Sequence, residues 1–377
     1  TSSTVGGFAA MRGYAIKRAT SGTVTFTGSF RVASELIIPL TRGTASNWNL
    51  VGNPYTSFLA ANTNAKVNLN LLSQNSSELD PNFQALYFWD PTANSGNGDY
   101  KIINQMSPAQ FVPPGQGFFV QIKNGGGDFT FRENMQSHQT GNIFYKNSNS
   151  IPEIDIFLSN DTSTKTTSIK YLTNSSKGLD PGYDAGQFNG VSSDLNIFTE
   201  LVDNNNNGIN FGLQVLPNDY ENIVIPIGVK AEANKEIVFT SNHNNLPSNL
   251  KIFIEDKLTN SITRLDIQGN EYRITPTTSL DGIGRFYLHT STQTILNIDD
   301  FDSLSVGIFK KDSQLNISGV SGVTYIKVFD LLGKQILNTK ANVSGVLKID
   351  IPTNIKTGVY IVKVSNEGKV STKKVIL

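Results

Sequence analysis

Residues 323–329 read Val323-Thr324-Tyr325-Ile326-Lys327-Val328-Phe329. Apart from Lys327, every residue in this stretch is β-branched or aromatic, which is typical of a β-strand. The segment Asp330-Leu331-Leu332-Gly333-Lys334 follows, and Gln335-Ile336-Leu337 begins the next apolar run. Because Gly333 tolerates the positive φ that a tight hairpin turn needs, the stretch predicts two strands joined by a turn.

The same pattern repeats on both sides of this hairpin. A second turn is predicted at Asn366-Glu367-Gly368-Lys369. Further strands are predicted at Gln314–Ile317, Gly345–Ile349, Gly358–Val364 and Val370–Leu377. About seven short strands between residues 301 and 377 predict a small immunoglobulin-like sandwich.

Two larger blocks precede this one, and short strand patterns separated by Gly, Asn and Pro fill both. We interpret residues 1–147 as a jelly-roll-like β-sandwich and residues 150–297 as a second β-sandwich, with the polar linker Lys146–Ser150 at their junction. Only the segment between Asn62 and Gln74 is ambiguous between a helix and a strand. The predicted fold class is therefore all-β, with tandem β-sandwich domains ending in a seven-stranded immunoglobulin-like sandwich.

The composition agrees with an all-β fold and excludes several classes of function. Charged residues make up 16 % of the 377 residues, and 32 residues are Gly, which favours many strands and polar turns over charged amphipathic helices. Lys plus Arg equals Asp plus Glu at 31 each, so the net charge indicates no nucleic-acid or anionic-lipid partner. The sequence has no Cys, which excludes disulfides, thiolate metal sites and Cys nucleophiles. No apolar run reaches the roughly 20 residues of a transmembrane segment.

The first residues, Thr1-Ser2-Ser3-Thr4, include no initiator Met, basic segment or apolar segment of a signal peptide. We therefore expect the chain to be a processed or truncated C-terminal part of a longer secreted protein.

Three segments of the last block carry a resemblance to a known family. They are Val328–Lys334, then Ile351–Ile355 followed by Thr357–Val364, and finally Lys373-Lys374-Val375-Ile376-Leu377. In this order and spacing they resemble the type A C-terminal sorting domain of the type IX secretion system of Bacteroidota. The residues that carry the motif are Gly333, Lys334, Gly358, Val359, Tyr360, Lys373, Lys374, Val375, Ile376 and Leu377.

The resemblance implies partners and a destination. Such domains are recognised by the outer-membrane translocon and its shuttle protein, and a sortase usually removes them while anchoring the mature protein at the cell surface. The resemblance does not say whether this domain is cleaved. Lys373 and Lys374 precede a short apolar strand, which could pair with an exposed sheet edge during recognition. The same strand would also serve simply as the closing edge of the sandwich.

The first two blocks resemble, less specifically, segments that precede this sorting domain in flavobacterial surface proteins. The similar segments are Trp48–Tyr55, Tyr87–Asp90, Pro113–Val120 and Gly182–Ala185. The resemblance supplies no biochemical role for them. Trp48 and Phe118 are expected to pack in a core, and a glycan-binding aromatic surface remains open without a named site.

No catalytic or metal motif is recognised. The three histidines, His138, His243 and His289, match no zinc-binding spacing and are predicted to be solvated.

The segment Asp203–Gly208 places oxygens as a calcium loop would, but its twelfth position is Gln214, so we predict an Asn-rich turn; calcium binding there stays open. Gly125-Gly126-Gly127 lacks the Lys and the helix of a phosphate-binding loop. The sequence indicates no cofactor.

Glycosidases need a pair of carboxylates, and several Asp and Glu residues are candidates for such a pair. They are Asp180 with Asp184, Glu255 with Asp256, Asp99 and Glu133. None lies in a recognised motif, and all are predicted to be solvated turn residues. The favoured hypothesis is a non-catalytic export and display region of a secreted, outer-membrane-anchored protein. An adhesin or carbohydrate-binding region with surface glycans as partners, and an accessory part of a polysaccharide hydrolase, are the alternatives.

Overall fold

The computed structural model describes the following residues: 7–15, 20, 22–23, 25, 27, 29, 31–44, 46–139, 151–203, 208–292, 307–311, 314–318, 320, 322–330, 333–343, 345–352, 355, 358–366 and 369–377. Strands dominate this part of the chain and form several packed sheets, so the predicted all-β fold of tandem sandwiches is confirmed. The chain divides into two compact units, Thr1–Asn149 with Pro181–Val191, and Ser150–Asp180 with Ser192–Leu377. The domain boundaries expected from sequence stay a prediction.

In the described residues as far as Gln139, the first unit contains nine strands and one short α-helix. In chain order they are β1 Glu35–Leu40, β2 Trp48–Gly52, β3 Phe58–Ala60, α1 Leu71–Asn75, β4 Leu86–Asp90, β5 Asp99–Ile103, β6 Phe111–Val112, β7 Gly117–Gln121, β8 Gly127–Arg132 and β9 Gln136–Ser137. They form sheets of order β2-β7-β4-β5, β6-β3-β9 and β1-β8. Val51, Leu86, Phe118 and Phe129 lie in the core between them, each at most 1 % exposed.

Helix α1 occupies the end of the segment that was ambiguous in sequence. Asn70 caps it, because its side-chain oxygen accepts a hydrogen bond of 2.8 Å from the Ser73 backbone N–H. Leu71 and Leu72 of this helix are buried in the core of the first unit. A single helical turn is enough here because its apolar side chains pack against the sheets.

The segment Pro181–Val191 belongs to the first unit although the second block surrounds it in sequence. The hydroxyl of buried Tyr87 donates a hydrogen bond of 2.6 Å to the Gly186 carbonyl. Phe188 stacks on Tyr100 with ring centroids 3.8 Å apart, and the Trp48 indole N–H donates to Asn189 Oδ1 at 2.8 Å. These contacts fix the segment on one face of the four-stranded sheet.

Two expectations about this region were wrong. Trp48 is half-buried and packs against the rings of Phe83, Tyr87 and Phe188, whereas Phe118 lies in the core as predicted. Asp184 is completely buried and is not a solvated turn residue. Both errors arise because Pro181–Val191, which contains Asp184 and covers Trp48, packs in a unit whose other residues are distant in sequence.

Eleven strands, β10 to β20, come next in the chain, and all of them except β12 belong to the second unit. They are β10 Glu153–Ser159, β11 Thr164–Tyr171, β12 Ala185–Gly186 (whose residues group with the first unit), β13 Asn196–Thr199, β14 Phe211–Leu216, β15 Ile225–Ala231, β16 Ile237–Asn244, β17 Lys251–Asp256, β18 Ser261–Arg264, β19 Tyr272–Ile274 and β20 Leu280–Ser291. The order β18-β17-β20-β15-β13-β14-β11-β10-β16-β19 makes one long sheet. Apolar residues from its two ends, including Ile154, Phe239, Ile254 and Phe286, share one core, so the sheet folds over on itself as a sandwich.

Seven further strands complete the second unit. They are β21 Gly307–Lys311, β22 Gln314–Ser318, β23 Gly322–Phe329, β24 Gln335–Val343, β25 Leu347–Asp350, β26 Val359–Asn366 and β27 Lys369–Ile376. A three-stranded sheet of order β21-β22-β25 packs on a four-stranded sheet of order β24-β23-β26-β27. This three-plus-four arrangement is the predicted seven-stranded, immunoglobulin-like sandwich. Its core includes Ile317, Ile326, Val328, Val362 and Val364.

Candidate functional site at the edge of the last sheet

The turn after β23 has the predicted conformation. Gly333 adopts φ 83°, and its backbone N–H donates a hydrogen bond of 3.0 Å to the Asp330 carbonyl. The Lys334 backbone N–H donates to the Asp330 side chain at 2.9 Å. A side chain at position 333 would be strained at this φ, so glycine is needed for the hairpin rather than for a ligand contact.

Strands β26 and β27 bring together two motif segments that are separate in sequence. Gly358 and Leu377 each donate a backbone N–H to the carbonyl of the other, both at 3.0 Å. The register continues with Val359 opposite Ile376 and Tyr360 opposite Val375. The Gly358-Val359-Tyr360 segment therefore pairs residue by residue with the end of β27.

The register also places the turn at Gly333 at the same end of the sheet. Phe329, the last residue of β23, lies opposite Ile361, and Ile361 lies opposite Lys374. The turn at Asp330–Lys334 starts directly after Phe329. All ten residues that carry the resemblance thus lie at one end of one sheet.

Side chains of the final strand alternate between the core and the outer face. Val375 and Leu377 point into the sandwich and are 8 % and 3 % exposed, whereas Ile376 is 66 % exposed. Lys374 is exposed on the same outer face as Ile376. Lys373 lies on the inner side, where burial lowers the pKa of its ammonium and the charge of Asp203 partly offsets that effect. The two adjacent lysines therefore have different environments.

The backbone of β27 has one free side. Gly358 and Leu377 form a hydrogen-bonded pair, and such pairs alternate along antiparallel strands. The backbone groups of Thr372, Lys374 and Ile376 consequently point away from β26. No strand in the described part of the chain pairs with this side. Such an edge can accept an extended strand from a partner, and the exposed Lys374 is also a common device against unwanted edge pairing.

Tyr360 is half-buried against the core of the last sandwich, and Val359 lies on the outer face beside Ile376. The arrangement offers backbone hydrogen-bonding groups and exposed side chains, which suit recognition of a protein segment. Sequence reasoning identified the strand but could not say which of its backbone groups point outward.

A family model described as Domain of unknown function (DUF8693) matches residues 4–289. The chain belongs to this family. A second model, Domain of unknown function (DUF8694), matches residues 296–377, which include the last sandwich and all ten motif residues. No curated protein matches the chain. In the described residues, no helix is both long and apolar enough to cross a membrane.

The DUF8693 region contains a buried ionic group that the sequence analysis did not predict. Glu255 Oε2 lies 2.8 Å from His289 Nε2, and Glu255 Oε1 lies 2.6 Å from Lys257 Nζ. Both Glu255 and His289 are almost fully buried, so their assignment as solvated residues was wrong. They are neighbours because β17 and β20 pair with Phe253 opposite His289.

Burial and ion pairing shift the pKa values of Glu255 and His289 in opposite directions. Burial alone would raise the pKa of Glu255, but hydrogen bonds from His289 and Lys257 outweigh it and the pKa is lowered. Burial lowers the pKa of His289, and the Glu255 carboxylate offsets only part of that effect. The imidazole is therefore neutral at pH 7 and donates its Nε2 proton to the carboxylate.

Asp256, the next residue along β17, has a separate set of partners. Arg285 holds it through two hydrogen bonds of 2.9 and 2.7 Å, and the Tyr272 hydroxyl donates a third at 2.7 Å. Its prediction as a solvated residue was also wrong, since it is 1 % exposed. Burial would raise the pKa of Asp256, yet the Arg285 and Tyr272 bonds lower it.

Adjacent residues on a strand point to opposite faces, so Glu255 and Asp256 do not face one another. This geometry excludes the two as a carboxylate pair flanking one glycosidic bond. Asp180 is used locally, because it accepts a hydrogen bond of 2.7 Å from the Ser176 backbone N–H.

The remaining candidates are dispersed. His138, His243 and Glu133 are exposed, as predicted for all three. Across the residues that the structure describes, no three His, Asp or Glu side chains group as metal ligands. The possible calcium loop falls largely on residues 204–207, which lie outside the described residues.

Proposed function

We propose that this chain is the non-catalytic region of a secreted cell-surface protein and that its last sandwich directs export through the type IX secretion system and surface anchoring. One observation carries the proposal. The turn at Gly333, the Gly358-Val359-Tyr360 segment and the Lys373–Leu377 segment lie together at one end of one sheet, with a free backbone edge beside them.

The free edge of β27 indicates how a protein partner would bind. An incoming extended segment of the translocation machinery would pair with the outward backbone groups of Thr372, Lys374 and Ile376. Val375 and Leu377 would stay in the core and keep β27 in place. Proteins that use this mode gain affinity from main-chain hydrogen bonds and specificity from alternate side chains.

The experiment is the export of a reporter fused to residues 301–377 in a Bacteroidota host with and without a working type IX system. We expect surface appearance that depends on the system. Retention of the fusion inside cells that have the working system would contradict the proposal.

A pair of variants at one position tests the edge itself. Lys374→Pro removes an N–H that does not bond to β26 and obstructs the free edge, whereas Lys374→Gln keeps that N–H and removes the charge. We expect export to fall sharply with Lys374→Pro and to persist with Lys374→Gln. Circular dichroism of both purified fusions would show whether the sandwich still folds.

A second candidate function, carbohydrate binding by the first unit, has one observation in its favour. Trp89 is 52 % exposed near the end of β4, and its indole lies over Gly98, where a Cβ would come within 2.0 Å of the ring. Tyr100 packs against it at a ring separation of 5.2 Å. Fixed, exposed indoles stack on sugar rings. Loss of binding to neutral glycans by Trp89→Ala, with Phe8→Ala as the control, would support this role.

A further inference from the structure

The outer face of the last four-stranded sheet carries four lysines at neighbouring positions. Lys327 on β23 lies directly opposite Lys363 on β26. Lys340 on β24 lies opposite Tyr325, and Lys374 on β27 lies opposite Ile361. All four lysines are exposed. Four strands at a spacing of about 4.8 Å spread these charges over roughly 14 Å.

This face lacks opposing charge. Its positions on the four strands, as the register assigns them, contain no Asp or Glu. The four lysines take part in no ion pair with other described residues. Residues 307–377 contain eleven Lys and no Arg against four carboxylates, Asp312, Asp330, Asp350 and Glu367, whereas the whole chain has a net charge of zero. The basic character is therefore concentrated in the last sandwich.

Like charges directly opposite each other on neighbouring strands destabilise a sheet. The pair Lys327 and Lys363 is such a case. An anionic ligand lying across the face would remove this repulsion, so charge complementarity indicates an anionic partner.

Side chains between the lysines narrow the class of partner. Hydroxyl and amide groups, which hydrogen-bond to sugar hydroxyls, occupy the intervening positions: Ser365, Thr372, Asn338 and Asn342. Tyr325 is 46 % exposed, with Lys340 Nζ 5.2 Å from its ring centroid. Lys is depleted from protein–protein interfaces. Its ammonium is a point charge on a flexible stem, which suits contacts with the spaced carboxylates of a polymer, whereas planar, bidentate binding of a single carboxylate or phosphate is typical of Arg.

We propose that the outer face of the β24-β23-β26-β27 sheet binds an acidic polysaccharide. Lysine ammonium groups contact its carboxylates, the amide and hydroxyl side chains bond to its hydroxyls, and Tyr325 packs against a sugar ring. This binding does not depend on the export role, since it requires only the folded sandwich.

The test uses the full chain and two probes, alginate as the acidic polysaccharide and neutral dextran as its uncharged control. The variant Lys327→Gln/Lys363→Gln removes two charges from the face, and Lys101→Gln/Lys348→Gln removes the same charge from exposed positions elsewhere. We expect the first variant to bind alginate about thirtyfold more weakly at low salt, since each lysine near an anionic surface contributes a factor of about five. The control variant should change binding less than about twofold, and dextran should not bind.

Three results would overturn the proposal: equal losses in the two variants, equal binding of dextran and alginate, or stronger binding to vesicles of anionic phospholipid than to alginate. The last result would assign the face to a membrane surface instead. A Tyr325→Ala variant that binds alginate more weakly than the unmodified chain, with the same dependence on salt, would support the stacking contact. Circular dichroism of each variant excludes unfolding as the cause.

Discussion

His289 and Glu255 meet at 2.8 Å in a site where neither side chain is more than 1 % exposed. The pKa of His289 is lowered by burial, so below about pH 6.5 the unfolded chain takes up a proton that the folded chain does not. The pKa of Glu255 is lowered too, which adds a loss of stability at still lower pH. The stabilisation is therefore complete above about pH 6.5 and decreases as the pH falls.

We expect the melting temperature of the second unit to fall between about pH 7.5 and about pH 5.5. His289→Gln keeps a donor for Glu255 and cannot protonate, so its melting temperature should depend less on pH over that range. His243→Gln, at an exposed position, should behave like the unmodified chain. Equal pH dependence in His289→Gln and the unmodified chain would show that this histidine does not control it.

Asp256→Asn should destabilise the second unit by about 3–5 kcal/mol, because it leaves the largely buried Arg285 side chain without its counter-charge. Glu271→Gln at the exposed pair with Arg273 should leave the free energy of unfolding nearly unchanged, because solvent screens that pair. Both tryptophans, Trp48 and Trp89, lie in the first unit. Denaturant unfolding followed by circular dichroism should therefore shift for Asp256→Asn while tryptophan fluorescence does not.

Tyr87→Phe tests the attachment of the segment Pro181–Val191. The change removes the donor to the Gly186 carbonyl and should cost the first unit about 1–2 kcal/mol. Tryptophan fluorescence during urea unfolding measures this directly, because Trp48 contacts the Tyr87 ring. Tyr183→Phe, at an exposed side chain, is the matched control and should leave the midpoint unchanged. Identical midpoints for the two variants would mean that the buried bond contributes nothing net.

Leu377→Ala and Ile376→Ala separate packing from recognition on β27. Leu377 is buried, so its truncation should destabilise the last sandwich by about 2–4 kcal/mol. Ile376 is exposed, and its truncation should cost less than about 0.5 kcal/mol. The rate of amide hydrogen exchange in β26 measures both losses of stability, because β26 pairs with β27. Faster exchange in Ile376→Ala than in Leu377→Ala would contradict the assigned orientation of the strand.

Much of the fold followed from local patterns. The alternation around Val323–Phe329 and the turn glycine at position 333 predicted the hairpin that the structure contains. Periodicity tells which residues share a face, but it does not tell what covers that face. His289 and Glu255 were assigned to solvent for this reason, since polar residues on an alternating strand resemble a solvated face until a second layer buries them.

The candidate site was predicted in part. The sequence identified the segments around Gly358 and Leu377, and only the register showed that they bond to each other. The lysine face was hidden because Lys327, Lys340 and Lys363 are dispersed along the sequence and the total charge is zero. Cross-strand pairing brings such residues together, and a count along the chain does not reveal it.

The docking of Pro181–Val191 in the first unit also affects the order of synthesis. Residues as far as Val191 must leave the ribosome before Gly186 can meet Tyr87 and Phe188 can meet Tyr100. By then β10 and β11 of the second unit have already emerged. The nascent first sandwich is therefore incomplete, with the aromatic face of its four-stranded sheet uncovered, while part of the next sandwich is translated. A chaperone that shields aromatic surface would act during that interval.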